Sequence, residues 1–308
     1  MATAEDYSLA HTREKVVFET MTAYVNLAKA RENQALLEKA RSTTAEHVRL
    51  AEKYAAEGVI LDADVLQARV YLSEMDEMLT RATNGARLAE AALNFQMGAE
   101  QTMPRELSPL APAKPAVGDV NDWITAAVEN RRDLAAARRK LEAGRLEEKA
   151  TRPGYFPEIA VLGNYSLYDD QFFGSNGSSG SVRAVAWINL LGGGTNTAAR
   201  AAARHETASF EADFRRVEEG VRLEVQQAWQ DLHTAGIRYT TAKSTLKAAA
   251  EAVRVRESRF KQGLDKMIDL LDAETGHREA EMREMVARYD VALDTNRLRF
   301  VSGATLIN

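Results

Sequence analysis

Arg259-Phe260-Lys261-Gln262-Gly263-Leu264-Asp265-Lys266-Met267-Ile268-Asp269-Leu270-Leu271-Asp272-Ala273 closes one long run of helix formers and opens another, and its reading decides the fold. The same layout stands 205 positions earlier, as Tyr54-Ala55-Ala56-Glu57-Gly58-Val59-Ile60-Leu61-Asp62-Ala63-Asp64-Val65-Leu66-Gln67-Ala68. Extended outward, that shift lays Val16 to Gly98 on Val221 to Gly303 without a gap. It matches Glu19/Glu224, Ala23/Ala228, Leu27/Leu232, Val48/Val253, Leu93/Leu298, Phe95/Phe300 and Gly98/Gly303, with Tyr24 facing Trp229. One register kept over so long a stretch marks a structural unit used twice.

Within each copy, helix formers run from about Ala4 to Glu57 and from about Thr195 to Gln262, unbroken by proline. Each run ends at a glycine suited to a helix C-terminus, Gly58 or Gly263. At roughly 1.5 Å per residue the second is on the order of 100 Å long, wider than a compact domain of this size. A second helix follows each glycine, about Asp62 to Met97 and Asp265 to Val301, ending at Gly98 and Gly303. Each copy is therefore an antiparallel helical hairpin with its tip at Gly58 or Gly263. Apolar positions recur at three-to-four spacing, as in Leu264, Ile268 and Leu271, and make stripes rather than all-round hydrophobicity. The many alanines on those stripes suit close helix packing of coiled-coil type.

Between the copies the character changes twice. Pro104 to Pro115 is a proline-bearing linker; Asp119 is a suitable N-cap for a helix to Asn130, and another helix runs from Arg132 to Ala150. Arg152-Pro153-Gly154-Tyr155-Phe156-Pro157 then breaks the helix, and Glu158 to Tyr168 alternates Ile159, Val161, Tyr165 and Leu167. A polar loop, Asp169 to Gly180, leads to a second alternating run, Ser181 to Leu191, closed by Gly192-Gly193-Gly194. Two strands of about eleven residues match the ~9 to 11 that cross a bilayer as tilted β-strands. The chain thus divides into 1–98, first hairpin; 99–151, linker and equatorial helices; 152–194, β-hairpin; 195–303, second hairpin; and 304–308, tail.

Composition excludes several functions. The 308 residues carry 45 acidic against 40 basic side chains, a net charge of −5 without a Lys/Arg cluster, which argues against a nucleic-acid partner. The absence of cysteine removes thiol catalysis, thiolate metal sites and disulfides together. No run reaches the ~18 apolar residues of a membrane-spanning helix, and Met1 to Tyr7 has no apolar export segment. An enzyme would need a constellation of reactive groups, and His11, His47, His205, His233 and His277 are scattered along helices, with no metal-ligand spacing or paired acid nearby expected. No catalytic residue, metal site or cofactor is expected.

In this order of features the chain resembles the TolC family of outer-membrane efflux proteins. The resemblance rests on the duplicated hairpins, Asn130-Arg131-Arg132-Asp133-Leu134, Tyr155-Phe156-Pro157 before a strand, the glycine triplet after the strands, and the Arg259 to Glu274 tip. Two departures from the family pattern are Arg132 and Asn189, where the family usually has proline. The resemblance implies a mainly α fold with one β-hairpin. The duplicated helical hairpins would build a trimeric α-barrel across the periplasm, and the strands would join a shared transmembrane β-barrel against outer-membrane lipid. It implies a passive exit duct in a Gram-negative bacterium that docks a periplasmic adaptor and an inner-membrane transporter. Moving the strand pair back by the repeat distance sets its counterpart upstream of Met1. The sequence accordingly reads as an N-terminally shortened member whose export signal and first strand pair precede it. Six strands from three copies would fall short of the ~8 of the smallest membrane barrels.

The acids near the tips carry the functional expectations. Asp269 and Asp272 are three apart and lie on one helix face. By resemblance they point into the narrow mouth, where threefold symmetry makes each a carboxylate ring that gathers cations and repels anions. Asp64, the repeat mate of Asp269, joins them with Gln67 at the Asp272 position. The alternative reading is that acids in a first helical turn complement the helix dipole, worth ~0.3 to 1 kcal/mol each. Gly58, Gly263 and Phe260 are the expected adaptor-docking tips. Asp265 stands where some family members carry a basic latch residue. A soluble coiled-coil scaffold or a periplasmic adaptor would also use such helices, but would leave the strand pair and the 205-residue shift unexplained.

Overall fold

A computed structural model describes residues 3–109, 118–151, 157–168, 177–188 and 193–304. The helices are α1 (Ala4–Ala56), α2 (Asp62–Gln96), α3 (Val120–Asn130), α4 (Arg132–Ala150), α5 (Thr195–Lys261) and α6 (Met267–Val301), with strands β1 (Glu158–Tyr168) and β2 (Gly177–Trp187) between α4 and α5. The chain forms two compact units, one of Met1–Tyr7 and Asp133–Glu219 and one of Ser8–Arg132 and Gly220–Asn308.

In the larger unit the long helices end alike. Gly58, Gly98, Gly263 and Gly303 have φ of +74°, +65°, +72° and +68°. The residue after each glycine donates its amide five residues back, Val59 to Tyr54, Ala99 to Asn94, Leu264 to Arg259 and Ala304 to Arg299, all at 2.8–2.9 Å. These are Schellman caps, which satisfy carbonyls the helix end leaves open and turn the chain back. Two apolar clusters hold the hairpins. One gathers Val48, Ala51, Val65, Ala68, Phe260, Met267, Leu270 and Leu271 beside the tips; the other gathers Val25, Met285 and Tyr289 at mid-height.

The connecting segment is fastened from both copies. Fully buried Asn94 donates to the carbonyls of Gln101 (3.2 Å) and Met103 (2.7 Å) and accepts from Arg105 Nε (2.6 Å), so each of its polar atoms is used. Tyr24 donates its hydroxyl to the Ser108 carbonyl (2.7 Å), and its repeat mate Trp229 donates its indole N–H to the Gly118 carbonyl (3.3 Å). Asp119 caps α3 as expected, accepting from the Asn121 amide at 3.3 Å.

In the smaller unit, α4 lies against α5 at Gly144, whose carbonyl accepts from the Thr207 hydroxyl at 3.1 Å. A Cβ on Gly144 would come within 2.6 Å of Phe210 Cδ2, so the approach depends on the missing side chain. β1 and β2 pair antiparallel from Glu158↔Trp187 to Tyr168↔Gly177. β2 therefore begins four residues before the expected Ser181 and closes at Trp187. The Gly177-Ser178-Ser179-Gly180 segment is drawn into the ladder rather than the loop, and the Tyr165 ring covers Gly180. The helix-breaking stretch 152–156, the loop 169–176 and Asn189 to Gly192 lie outside the described residues.

Directly paired residues share a face. Ile159, Val161, Tyr165 and Leu167 thus lie with Val182, Ala184 and Ala186, while Glu158, Asn164, Ser166, Ser179, Ser181 and Arg183 share the other face with Leu162, Val185 and Trp187. Every residue of β2 is exposed.

A Cβ at Gly303 would meet the Asn130 carbonyl carbon at 3.0 Å and the Arg131 nitrogen at 3.1 Å, whereas one at Gly58 meets nothing within 4 Å. Gly58→Ala should therefore cost about 1 kcal/mol, the left-handed backbone term alone. Gly303→Ala should cost a further ~1 to 3 kcal/mol from the clash. Denaturant midpoints of the two variants measure the difference.

Candidate functional site

Both tips follow one local logic. Leu61 and Lys266, the N-cap residues of α2 and α6, have no side-chain oxygen with which to cap the helix. The acid three residues on supplies it: the Leu61 amide donates to Asp64 Oδ2 and the Lys266 amide to Asp269 Oδ2, each at 3.2 Å. The amides of Asp64 and Asp269 in turn donate to the Leu61 and Lys266 carbonyls, at 2.9 and 3.2 Å. Asp64 and Asp269 therefore work as helix-start acids at equivalent places in the two copies, half-buried in both.

Asp272 has a different environment. It is exposed and accepts the Tyr71 hydroxyl from α2 at 2.8 Å. That hydrogen bond is the chief reason the Tyr71 phenol titrates above its usual range, with burial adding to it. Two residues further along α6, Glu274 Oε1 lies 2.5 Å from His47 Nε2 of α1. A histidine paired with an acid was not expected; His277 also sits 3.8 Å from Glu281. The partners are 201 and 227 positions apart in the two long-range links, so no local spacing announces them. Beside these links is a cavity of about 200 Å³, lined among others by Lys39, Thr43, Tyr71, Glu274 and Arg278. Among the described residues no group of three or more histidines and acids is arranged to hold a metal ion.

Gly263 and Gly58 stand at the turns with open space where a Cβ would project. Val59, Leu61 and Leu264 are exposed beside them. Phe260 points the other way, 5% exposed, with its ring 6.0 Å from that of Tyr54. It supports the tip from beneath and does not present its ring at the surface. α6 begins at Met267, two residues later than expected, because Asp265 is engaged elsewhere. Its carboxylate accepts from Arg259 Nε at 2.8 Å and from Arg256 Nη1 at 3.1 Å, and its side chain is only 5% exposed. The Arg259 hydrogen bond, seconded by Arg256, holds the Asp265 carboxyl below the usual aspartate range.

A group whose folded value is depressed stabilises the fold above its unfolded value and loses that contribution as pH falls through the folded one. The Asp265 clasp should therefore persist from neutrality down to 3.8 and dissolve below it. Hydrogen exchange at the Gly263 and Leu264 amides should quicken only in that acid window. Asp265→Asn should quicken it already at neutral pH and flatten the dependence.

The family described as outer membrane efflux protein matches residues 123–304. The outer membrane efflux protein BepC of Brucella suis is 22% identical over 303 residues, covering 97% of this chain and 66% of that protein. The alkaline protease secretion protein AprF of Pseudomonas aeruginosa is 23% identical over 302 residues, covering 94% and 62%. The chain thus spans somewhat less than two thirds of either relative. The crystal structure of the open state of the Neisseria gonorrhoeae MtrE outer membrane channel has a like fold, with a TM-score of 0.81 at 20% identity, over 98% of this chain and 68% of that one.

Proposed function

The chain belongs to the outer membrane efflux protein family, and from that premise we propose that it serves as the outer-membrane exit duct of a tripartite efflux or secretion system. Proteins of the family reside in the outer membrane and periplasm of Gram-negative bacteria, and so does this one. In the proposed assembly three copies join their long hairpins into an α-barrel, and each gives its β1–β2 hairpin to a common β-barrel in lipid. A periplasmic adaptor meets the Gly58 and Gly263 tips, with Phe260 bracing the second from inside. An inner-membrane transporter supplies the energy, so the duct itself needs no cofactor. BepC is named for efflux and AprF for protease secretion, and the proposal takes in both kinds of passenger.

The observation that carries this reading is the strand pair. A two-stranded sheet is marginal alone in water, and this one displays Ile159, Val161, Tyr165, Leu167 and Val182 on one open face. Lipid on that face and neighbouring strands at both edges would satisfy it. At the helical tips, Asp269, Asp272 and Asp64 would line the constriction. Asp272, exposed and steered by Tyr71, is the carboxylate best disposed for a cation-gathering ring; Asp64 and Asp269 would share that duty with capping their helices.

Val182→Arg on the apolar face should cost ~2 to 4 kcal/mol at mid-membrane depth and clear the protein from the outer-membrane fraction. Ser181→Arg, one residue away on the other face, should leave it there. Equal loss of both would count against the membrane assignment of the faces. At the tip, Gly263→Trp should stop export of a reporter drug while trimer abundance and thermal stability hold. Export falling only in step with trimer would remove the docking role.

A further inference from the structure

Side-chain links hold the start of α6 to the first hairpin, and pH acts on them differently. Asp272 accepts the Tyr71 hydroxyl of α2 at 2.8 Å, and Lys39 Nζ of α1 stands 4.0 Å from Glu281 Oε1. Between these along α6, Glu274 Oε1 lies 2.5 Å from His47 Nε2 of α1, with the two side chains only 20% and 13% exposed. The Tyr71 phenol titrates above its usual range, and lysines and carboxylates ordinarily hold their charge from about pH 5 to 8, where an imidazole changes its own. The His47–Glu274 link is therefore the one among these that a proton alters in that range.

The groups around the link leave that change to His47. On α1, the exposed Glu46 and Arg49 pair with each other. On α6, His277 Nδ1 is 3.8 Å from Glu281, beyond hydrogen-bond reach and on the same helix, so its protonation joins no two helices. Arg278 turns Nη1 to the Met75 sulfur at 3.1 Å, and α5 contributes Val253, which does not titrate. The cavity of about 200 Å³ that Glu274 lines gives solvent protons a way in. The repeat adds a second observation. A shift of 205 carries His47 onto Ala252 and Glu274 onto Arg69, although the adjoining Val48 and Leu271 stay apolar as Val253 and Leu66. Arg69 instead donates to Glu52 at 2.6 Å, an ion pair with no group that titrates in this range. The frame common to both copies is thus built without a histidine link.

We propose that His47 and Glu274 form a proton-operated clasp on the start of α6. A carboxylate only accepts, so with a neutral imidazole Nε2–H donates to Glu274. Once Nδ1 also takes up a proton, the same contact is an ion pair and a stronger, charge-assisted hydrogen bond. The hold of α1 on α6 is then complete in acid and weakens as pH rises through the imidazole range. Asp272 stands two residues from Glu274. On the reading above of Asp272 as a constriction carboxylate, acid steadies the segment that carries it and alkali loosens that segment.

Hydrogen exchange of the whole protein in detergent, read on the α6 segment from Met267 to Glu281, tests the clasp. Variant and wild type compared at one pH have the same intrinsic exchange chemistry, so their ratio reports the hold alone. His47→Gln keeps a donor but cannot charge. Its segment should exchange roughly fivefold faster than wild type at about pH 5.5 and match it at about pH 8.5. Glu274→Gln should lose the same acid-side protection, and the double variant should lose no more than either alone. His277→Gln should match wild type at both. A His47→Gln ratio that ignores pH, or a pH dependence that His277→Gln shares, overturns the clasp. Conductance in planar bilayers separates it from the duct: openings should grow more frequent from about pH 5.5 to 8.5 in wild type and not in His47→Gln. Channels with a flat exchange ratio would sink the clasp and leave the duct. No channels at any pH would sink the duct and leave the clasp standing on exchange, and wild-type openings indifferent to pH would remove its control of the mouth.

Discussion

The left-handed glycine at the end of each long helix is the constraint on which everything else depends. A helix leaves its last carbonyls without partners, and a Schellman cap satisfies them only if the next residue takes a positive φ. At Gly58 and Gly263 that requirement also reverses the chain, so two ~50 Å arms run back beside their predecessors and bury one stripe each. Without the reversal, α2 and α6 would have nothing to pack against, and the cluster of Val48, Val65, Phe260 and Leu271 would not exist.

From that shared frame the two copies have diverged in side-chain chemistry. Asp64 and Asp269 keep one capping duty at equivalent places. The second tip adds Asp265 between two arginines, and α6 adds Asp272 and Glu274, held by Tyr71 and His47 of the first hairpin. Those two links fasten the start of α6 from α2 and from α1 together. The Tyr71 hydrogen bond gives the exposed Asp272 carboxylate a fixed direction.

The β-hairpin is built on a different pattern. Its register places Ile159, Val161, Tyr165, Leu167 and Val182 on one face and mixes polar residues with Leu162, Val185 and Trp187 on the other. The helices bury stripes against one another, whereas every residue of β2 is exposed.

The helices, their glycine ends, the Asp119 cap and the duplication were legible in the sequence, because each rests on local backbone chemistry or on a repeat that needs no third dimension. The first strand was legible as well, by alternation. The second was displaced, since pairing to β1, and not the composition of Gly177 to Gly180, decides where a ladder starts. Asp64, Asp269 and the tip glycines could be singled out from spacing. That Phe260 turns inward, that Asp265 sits between Arg256 and Arg259, and that Asp272 and Glu274 answer to Tyr71 and His47 was decided only by tertiary structure. These contacts join residues by the crossing of helices, and helical periodicity specifies which face a side chain occupies without specifying which distant side chain will stand opposite.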